Sequence, residues 1–211
     1  PSAGARGIST FLVEADREGL SHGAHEDKMG LRTSNTCDLA LTNVRVPADH
    51  LVGEEGQGFK IAMSGLDVSR PFMATIAVGM MQRALDEAAA YALRREQFGQ
   101  PIFDFQMVQD MLARMSAKTV ACRALVAHTM ELVDAGLPVQ KEGAITKQFV
   151  TDLLQDVVSD AIQVMGGNGY TKEYPVEKIM RDAKVFQIME GTNQIQSIVI
   201  ARALRKEYER R

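Results

Sequence analysis

Apolar residues recur every three or four positions over most of the chain after about residue 58, which is the periodicity of an amphipathic α-helix. Four such segments cover residues 73–91, 112–133, 145–164 and 195–208. The second has a stripe formed by Leu112, Met115, Thr119, Cys122, Val126, Thr129 and Val133. Short breaks rich in glycine and proline separate the segments, and this favours antiparallel packing of neighbouring helices. Pro71 lies within the first helical pattern, where we expect a kink or a late helix start.

The beginning of the chain follows a different pattern, with short runs rich in β-forming residues. Residues 8–13 and 39–46 predict strands. In the second run the alternation changes phase near Thr42 and Asn43, which predicts a bulge or a tight turn. The fold class we predict is an α+β fragment, in which residues 1–55 form the end of a β-domain and residues 56–211 form an antiparallel four-helix bundle.

Composition excludes several classes of protein. A formal net charge of -3 gives no electrostatic reason to bind nucleic acid. Cys37 and Cys122 lie far apart and form no CxxC pair, which argues against a disulfide scaffold or a zinc site. No apolar run reaches the roughly 18 residues that a membrane span needs, and no signal peptide is recognised. The chain begins without Met in a loop-like segment, so we expect a piece of a longer protein, cytoplasmic in a bacterium or in the mitochondrial matrix of a eukaryote.

Glu190 is a lone carboxylate between two apolar segments, in "FQIMEGTNQIQ". Apolar surroundings disfavour the ionised form of a carboxylate, which suits a general base. The neighbouring Gly191 amide is placed to polarise a carbonyl, and Thr192 predicts the N-cap of the last helix. A solvated helix corner explains the same residues, and the residues alone leave both interpretations open.

Two further segments carry candidate binding residues. "QVMGGNG" (163–169) has three glycines within four positions, although a helix C-cap needs only one, so the surplus indicates a bulky group near the backbone. "RREQFGQPIFDFQ" (94–106) has an arginine, amides and aromatic rings that suit a phosphate and a ring system. A plain cap and a solvated helix end are the alternatives. His22 and His25 have no second ligand cluster, so we predict no metal site.

Together these segments closely resemble the acyl-CoA dehydrogenase family. The likeness rests on "GLDVSRP", "RREQFGQPI", "QVMGGNGYTKEYPVEKIMRDAK" and "QIMEGTNQIQ", in that order along the chain. It covers the whole chain, but only about the C-terminal half of a family member. The resemblance implies the end of a β-domain followed by a helical domain, bound FAD, and a homotetramer built as a dimer of dimers.

The resemblance also implies roles for individual residues. Glu190 stands where short-chain and medium-chain members keep the catalytic base, whereas other members place it at the position of Ser69, which is not an acid here. Asp67, Arg70 and Gly191 match positions that face the acyl-CoA. The positions that match FAD contacts are Arg95, Gln97, Phe98, Gln106, Gln163, Val164, Gly166, Gly167, Thr192 and Gln194, and residues 163–167 would reach the FAD of a neighbouring subunit.

The implied activity is FAD-dependent α,β-dehydrogenation of an acyl-CoA thioester to the trans-2-enoyl-CoA. Glu190 would take the α-proton, and electrons would pass to an electron-transfer flavoprotein. An acyl-CoA oxidase that uses oxygen is a second interpretation, and a helical oligomerisation fragment without activity is a third. Met189 stands where many relatives have Tyr, so the resemblance assigns no acyl chain length.

Overall fold

The computed structural model describes residues 3–210 and is mostly helical, as the periodicity predicts. The chain forms two compact units, residues 1–66 and 67–211. The helices are α1 (Gly58–Arg94), α2 (Gln106–Asp134), α3 (Gln140–Met165), α4 (Pro175–Ala183) and α5 (Asn193–Tyr208). The four predicted helices are confirmed, and α4 is an additional short helix that the periodicity did not indicate. The predicted domain boundary after residue 55 stays a prediction.

Within its described residues, 3–66, the first unit contains four short strands. They are β1 (Thr10–Phe11), β2 (Leu20–His22), β3 (Leu39–Leu41) and β4 (Leu51–Val52). β1 pairs with β4 and β2 pairs with β3, both antiparallel. β3 ends before Thr42, and Asn43 adopts a left-handed backbone with φ of 51°. The change of phase that the sequence shows at this point is therefore a tight turn.

α1 continues through Pro71 without interruption, so the predicted late start of this helix is wrong. Proline has no N–H, and the carbonyl of Asp67 one turn earlier loses its helical donor. Gly143 of α3 lies against this carbonyl, because a β-carbon on Gly143 would be 2.9 Å from the Asp67 oxygen. Glycine here lets the backbones of α1 and α3 approach each other closely.

α3 is the central helix of the second unit and packs against α2, α4 and α5. The predicted stripe of α2 is buried at Leu112, Met115, Thr119, Cys122, Val126 and Thr129. A hydrogen bond of 2.6 Å between the hydroxyls of Thr129 and Thr146 joins α2 to α3 inside this core. A hairpin of β5 (Glu96–Gln97) and β6 (Gln100–Pro101) connects α1 to α2. The antiparallel order of the helices stays a prediction.

The first half of α3 buries a different face from the one its apolar pattern predicts. Phe149 follows the apolar spacing of the predicted segment 145–164, but it is 47% exposed. The buried face carries Thr146, Lys147 and Thr151 beside Val150 and Leu154. Lys147 and Thr151 lie on the side of α3 that meets the start of α5, whereas Thr146 faces α2. Among residues 3–210, no helix combines the length and the hydropathy that crossing a membrane requires.

Candidate active site

Glu190 lies in a left-handed turn that joins a short 3-10 helix (Lys184–Gln187) to α5. The backbone φ is 57° at Glu190 and 85° at Gly191. Residues other than glycine rarely adopt such φ values, because their β-carbon crowds the following carbonyl oxygen. At Gly191 the space is also closed, since a β-carbon would be 2.8 Å from Gln196 Nε2. Position 191 therefore favours glycine because of its φ, and a side chain there would also displace the Gln196 amide.

The carboxylate of Glu190 is half-buried and accepts a hydrogen bond from Ser69 of α1. The Ser69 hydroxyl donates to Glu190 Oε2 at 2.6 Å. The surroundings are thus neither the fully apolar pocket nor the solvated corner that the sequence suggested. A donor on the neighbouring helix orients one oxygen of the carboxylate, while the side chain keeps access to the surface. Ser69, which is no acid itself, contacts the acid that the sequence points to.

The carbonyl oxygens of this turn are bound by two buried side chains. Gln196 Nε2 donates to the carbonyls of Glu190 at 3.1 Å and Gly191 at 2.9 Å. Lys147 Nζ donates to the Gly191 carbonyl at 2.9 Å and to Asn193 Oδ1 at 2.6 Å. Lys147 and Gln196 are both inaccessible to solvent. Burial lowers the pKa of Lys147 to about 8.

The sequence reasoning missed Lys147, Asn193 and Gln196. A signal was present in the spacing, because Asn193 and Gln196 are three residues apart and share one face at the start of α5. Lys147 carries no comparable signal, since a lysine among apolar residues of an amphipathic helix normally extends to solvent. The structure alone identifies it as buried.

The residues predicted to face the acyl-CoA are near the same turn. Arg70 forms an ion pair of 2.8 Å with Asp67 one helical turn earlier. Arg70 is only 5% exposed, and its Nε has no hydrogen-bond partner among the described residues. A buried donor without a partner is unfavourable unless a ligand or water binds it. Thr192 is the N-cap of α5 as predicted, with its hydroxyl accepting from the Ile195 N–H at 3.3 Å.

A cavity of about 310 Å³ brings together two of the segments that the sequence singled out. It is lined by Tyr91, Arg95, Gln97, Ile102, Val164, Met165, Gly166, Gly167 and Asn168. Among the described residues, the Arg95 side chain makes no hydrogen bond or ion pair, so its guanidinium is available to an anion. Phe98, which is 94% exposed, Gln106 and Gln163 line neither this cavity nor the one described next.

The other predicted cofactor residues line a separate cavity. Thr192 and Gln194 border a polar space of about 440 Å³. Gln148 and Asp152 of α3 and Gln187 of the 3-10 helix also contribute to it. Of the ten predicted cofactor residues, five line the first cavity, two line the second and three line neither.

The three glycines after α3 are explained in three different ways, and a bound cofactor would explain Gly167. Gly166 has φ of 59°, which ends the helix, and a β-carbon on Gly169 would be 2.9 Å from the Ile162 carbonyl oxygen. Gly167 has neither constraint, because its φ is ordinary and a β-carbon there would meet nothing within 4 Å in this chain. The fold does not require glycine at 167. Bare backbone next to the free Arg95 guanidinium suits a phosphate-bearing cofactor such as FAD.

Metal ligands are not clustered in the part of the chain that the structure describes. Within residues 3–210 there is no group of three or more His, Cys, Asp or Glu side chains arranged to hold an ion.

Comparison with known proteins gives a consistent result. Residues 56–205 match the family model described as "Acyl-CoA dehydrogenase, C-terminal domain". A probable acyl-CoA dehydrogenase of Mycobacterium tuberculosis is 47% identical over 205 residues, which is 97% of this chain and 53% of that protein. The chain spans about half the length of the curated relatives it matches.

Solved structures agree. The butyryl-CoA dehydrogenase of Megasphaera elsdenii superposes with a TM-score of 0.95 at 43% identity, covering 97% of this chain and 53% of that one. A chain in a structure described as the electron transferring flavoprotein of Acidaminococcus fermentans superposes with a TM-score of 0.94 at 46% identity, covering 96% and 53%. The chain therefore belongs to the acyl-CoA dehydrogenase family.

Proposed function

We propose that the whole protein containing this chain is an FAD-dependent acyl-CoA dehydrogenase that converts an acyl-CoA thioester to the trans-2-enoyl-CoA. The observation that carries the proposal is Glu190, a half-buried carboxylate in a left-handed turn, oriented by the Ser69 hydroxyl at 2.6 Å. A carboxylate held in a fixed direction is what proton removal from a positioned carbon requires. The family membership supplies the class of substrate.

Glu190 is proposed to act as the base that removes the α-proton of the thioester. This proton is a weak acid unless the charge that develops on the thioester oxygen is stabilised. The backbone N–H of Glu190 donates to no group among the described residues, and we assign it to that oxygen. Arg70, with its buried Nε unpartnered, and Asp67 are proposed to contact the acyl-CoA beside the base.

The proposed FAD-binding residues are those predicted from the resemblance, in two groups. Arg95, Gln97, Val164, Gly166 and Gly167 share one cavity, while Phe98, Gln106 and Gln163 are exposed outside its lining. Thr192 and Gln194 border the other cavity. Two separate groups suit a cofactor that is held between copies of the chain. Bound FAD would supply the hydride acceptor for the β-hydrogen of the substrate.

The proposed assembly is a homotetramer. Exposed apolar residues on α5 support it, because Ile195, Ile198, Leu204 and Tyr208 form a stripe on the surface of the isolated chain. Large exposed apolar patches mark interaction surfaces. An electron-transfer flavoprotein is the proposed electron acceptor, supported by the similarity to a chain in the Acidaminococcus fermentans structure of that name.

The test is Glu190→Gln in the full-length protein, assayed with butyryl-CoA and an electron-transfer flavoprotein. Removing a general base is expected to lower turnover by at least about 100-fold, while flavin absorbance and the tetramer are retained. Glu209→Gln is the matched control, since Glu209 is an exposed acid that pairs with Arg205 on the surface. Turnover of Glu190→Gln near that of the unmodified protein would contradict the proposal.

Two further measurements distinguish the dehydrogenase from the two alternative functions. Rapid reoxidation of the reduced flavin by oxygen, with little transfer to the flavoprotein, would indicate the acyl-CoA oxidase. A colourless but folded oligomer of the 211-residue chain would indicate that this piece alone is a helical oligomerisation module.

A further inference from the structure

We propose that Lys147 is a positioning residue for the base. Its buried ammonium group binds the Gly191 carbonyl and the Asn193 side chain, and thereby fixes the direction of the Glu190 carboxylate. This inference rests on the proposed function, because it assigns Lys147 a part in the proton removal that Glu190 performs.

The burial of Lys147 calls for an explanation beyond packing. An ammonium group removed from water is unfavourable unless hydrogen bonds or opposite charges compensate it. Lys147 has no exposed surface, and its hydrogen bonds to described residues end on two neutral oxygens, Gly191 O and Asn193 Oδ1. A buried leucine or methionine would stabilise a helix core more simply. The lysine is therefore better explained by the turn that it holds.

One partner of Lys147, the Asn193 amide, is itself hydrogen-bonded to α3. The lysine extends from α3, the central helix of its unit. Asn193 Nδ2 donates to Thr151 Oγ1 at 2.9 Å and to Asp152 Oδ1 at 2.7 Å, so the amide that receives Nζ is itself fixed to α3. Lys147 thus transmits the position of α3 to the turn through short contacts.

The turn has few other means of keeping its shape. The left-handed backbone at Glu190 is intrinsically unfavourable by about 1–2 kcal/mol, so neighbouring groups have to maintain it. Gln196 binds the Glu190 carbonyl, which orients the peptide plane between residues 190 and 191. Lys147 binds the Gly191 carbonyl, which orients the next peptide plane. Both planes that follow Glu190 are held by buried donors, and the start of its side chain is fixed with them.

The charge of Lys147 depends on pH within a range that experiments can reach. Burial lowers its pKa to about 8, and Arg70 of α1 acts in the same direction. Asp152 of α3 and Glu190 of the turn oppose this shift. The ammonium form is present below that pKa and is lost as the pH rises through it.

The test isolates proton removal from hydride transfer. The probe is 3-thiabutyryl-CoA, in which sulfur replaces the β-carbon, so no hydride can leave. Exchange of its α-hydrogens with heavy water is followed by mass spectrometry in the full-length, flavin-containing protein. Lys147→Met is expected to lower the exchange rate by about 100-fold, which is the effect of a small misplacement of a catalytic group. The affinity for the probe and the flavin content stay close to those of the unmodified protein.

Lys141→Met is the matched control, because Lys141 lies on the same helix and pairs with Glu207 on the surface. Its exchange rate is expected to equal that of the unmodified protein. Lys147→Met that folds, binds flavin and exchanges at the unmodified rate overturns the inference. If exchange also persists in Glu190→Gln, the proposed function itself fails, and the two failures are thereby distinguished.

The pH profile of the unmodified protein keeps the inference testable if Lys147→Met does not fold. Exchange is expected to fall as the pH rises through the pKa of Lys147, because the neutral amine holds the Gly191 carbonyl less strongly than the ammonium group does. A rate that is constant or rising well above that pKa overturns the inference.

Discussion

α2 and α5 both have an apolar stripe at helical spacing, but they use it in opposite ways. The α2 stripe is buried within the chain, with Met115 and Cys122 fully inaccessible. The α5 stripe is exposed, and the buried positions of this helix are the polar residues Asn193 and Gln196. The same periodicity therefore marks an internal core in one helix and an outward surface in the other. The buried side of α5 contributes hydrogen bonds that hold the Glu190 turn.

The largest expected effect lies in the α2 stripe. Met115→Ala removes a fully buried side chain and leaves a cavity, which is expected to lower the free energy of unfolding by about 2–5 kcal/mol. Urea unfolding followed by circular dichroism measures the change. If Met115→Ala lowers the free energy of unfolding only as much as a substitution of an exposed residue does, the stripe of α2 is not part of the core.

A smaller effect is expected on the buried polar side of α5. Gln196→Ala leaves the carbonyls of Glu190 and Gly191 without one of their donors, which is expected to cost about 1–3 kcal/mol of stability. Arg202→Ala, at an exposed position later in α5, is the control. The same unfolding experiment decides, and equal stability of the two variants would contradict the assigned role of Gln196.

The smallest effect on the chain itself is expected on the outer side of α5. Ile198 is 45% exposed, and Ile198→Ser is expected to change the free energy of unfolding of the single chain by no more than about 0.5 kcal/mol. In the full-length protein the same change is expected to weaken the tetramer, because it places a hydroxyl in the proposed interface. Sedimentation velocity measures this, and an unchanged tetramer would show that the stripe faces something else.

Much of the fold could be predicted because helical periodicity reports apolar burial directly. The α2 stripe matches the structure at six positions, Leu112, Met115, Thr119, Cys122, Val126 and Thr129. The pattern failed in the first half of α3, where Phe149 is exposed and Lys147 is buried. Periodicity counts apolar side chains, whereas Lys147 is buried because Gly191 and Asn193, far away in sequence, supply acceptors. No local pattern contains that information.

The candidate site was predicted unevenly for a similar reason. Glu190 was singled out as a candidate and Thr192 was correctly predicted as the N-cap, because a lone acid and a capping residue at a helix break are local signals. The residues that hold the turn come from α1, α3 and α5, and only the folded chain brings them together. Arg95 and Gly167 illustrate an intermediate case, because their types were suggestive but their shared cavity was not visible in the sequence.

The left-handed backbone of Glu190 implies a conflict between stability and activity. Glycine suits a φ of 57° better than glutamate does, so Glu190→Gly is expected to relieve up to about 1–2 kcal/mol of strain, partly offset by the lost hydrogen bond from Ser69. A variant that is inactive yet at least as stable would show that selection for chemistry, and not for folding, keeps an acid at this position. Thermal unfolding can therefore reveal a functional residue without any substrate.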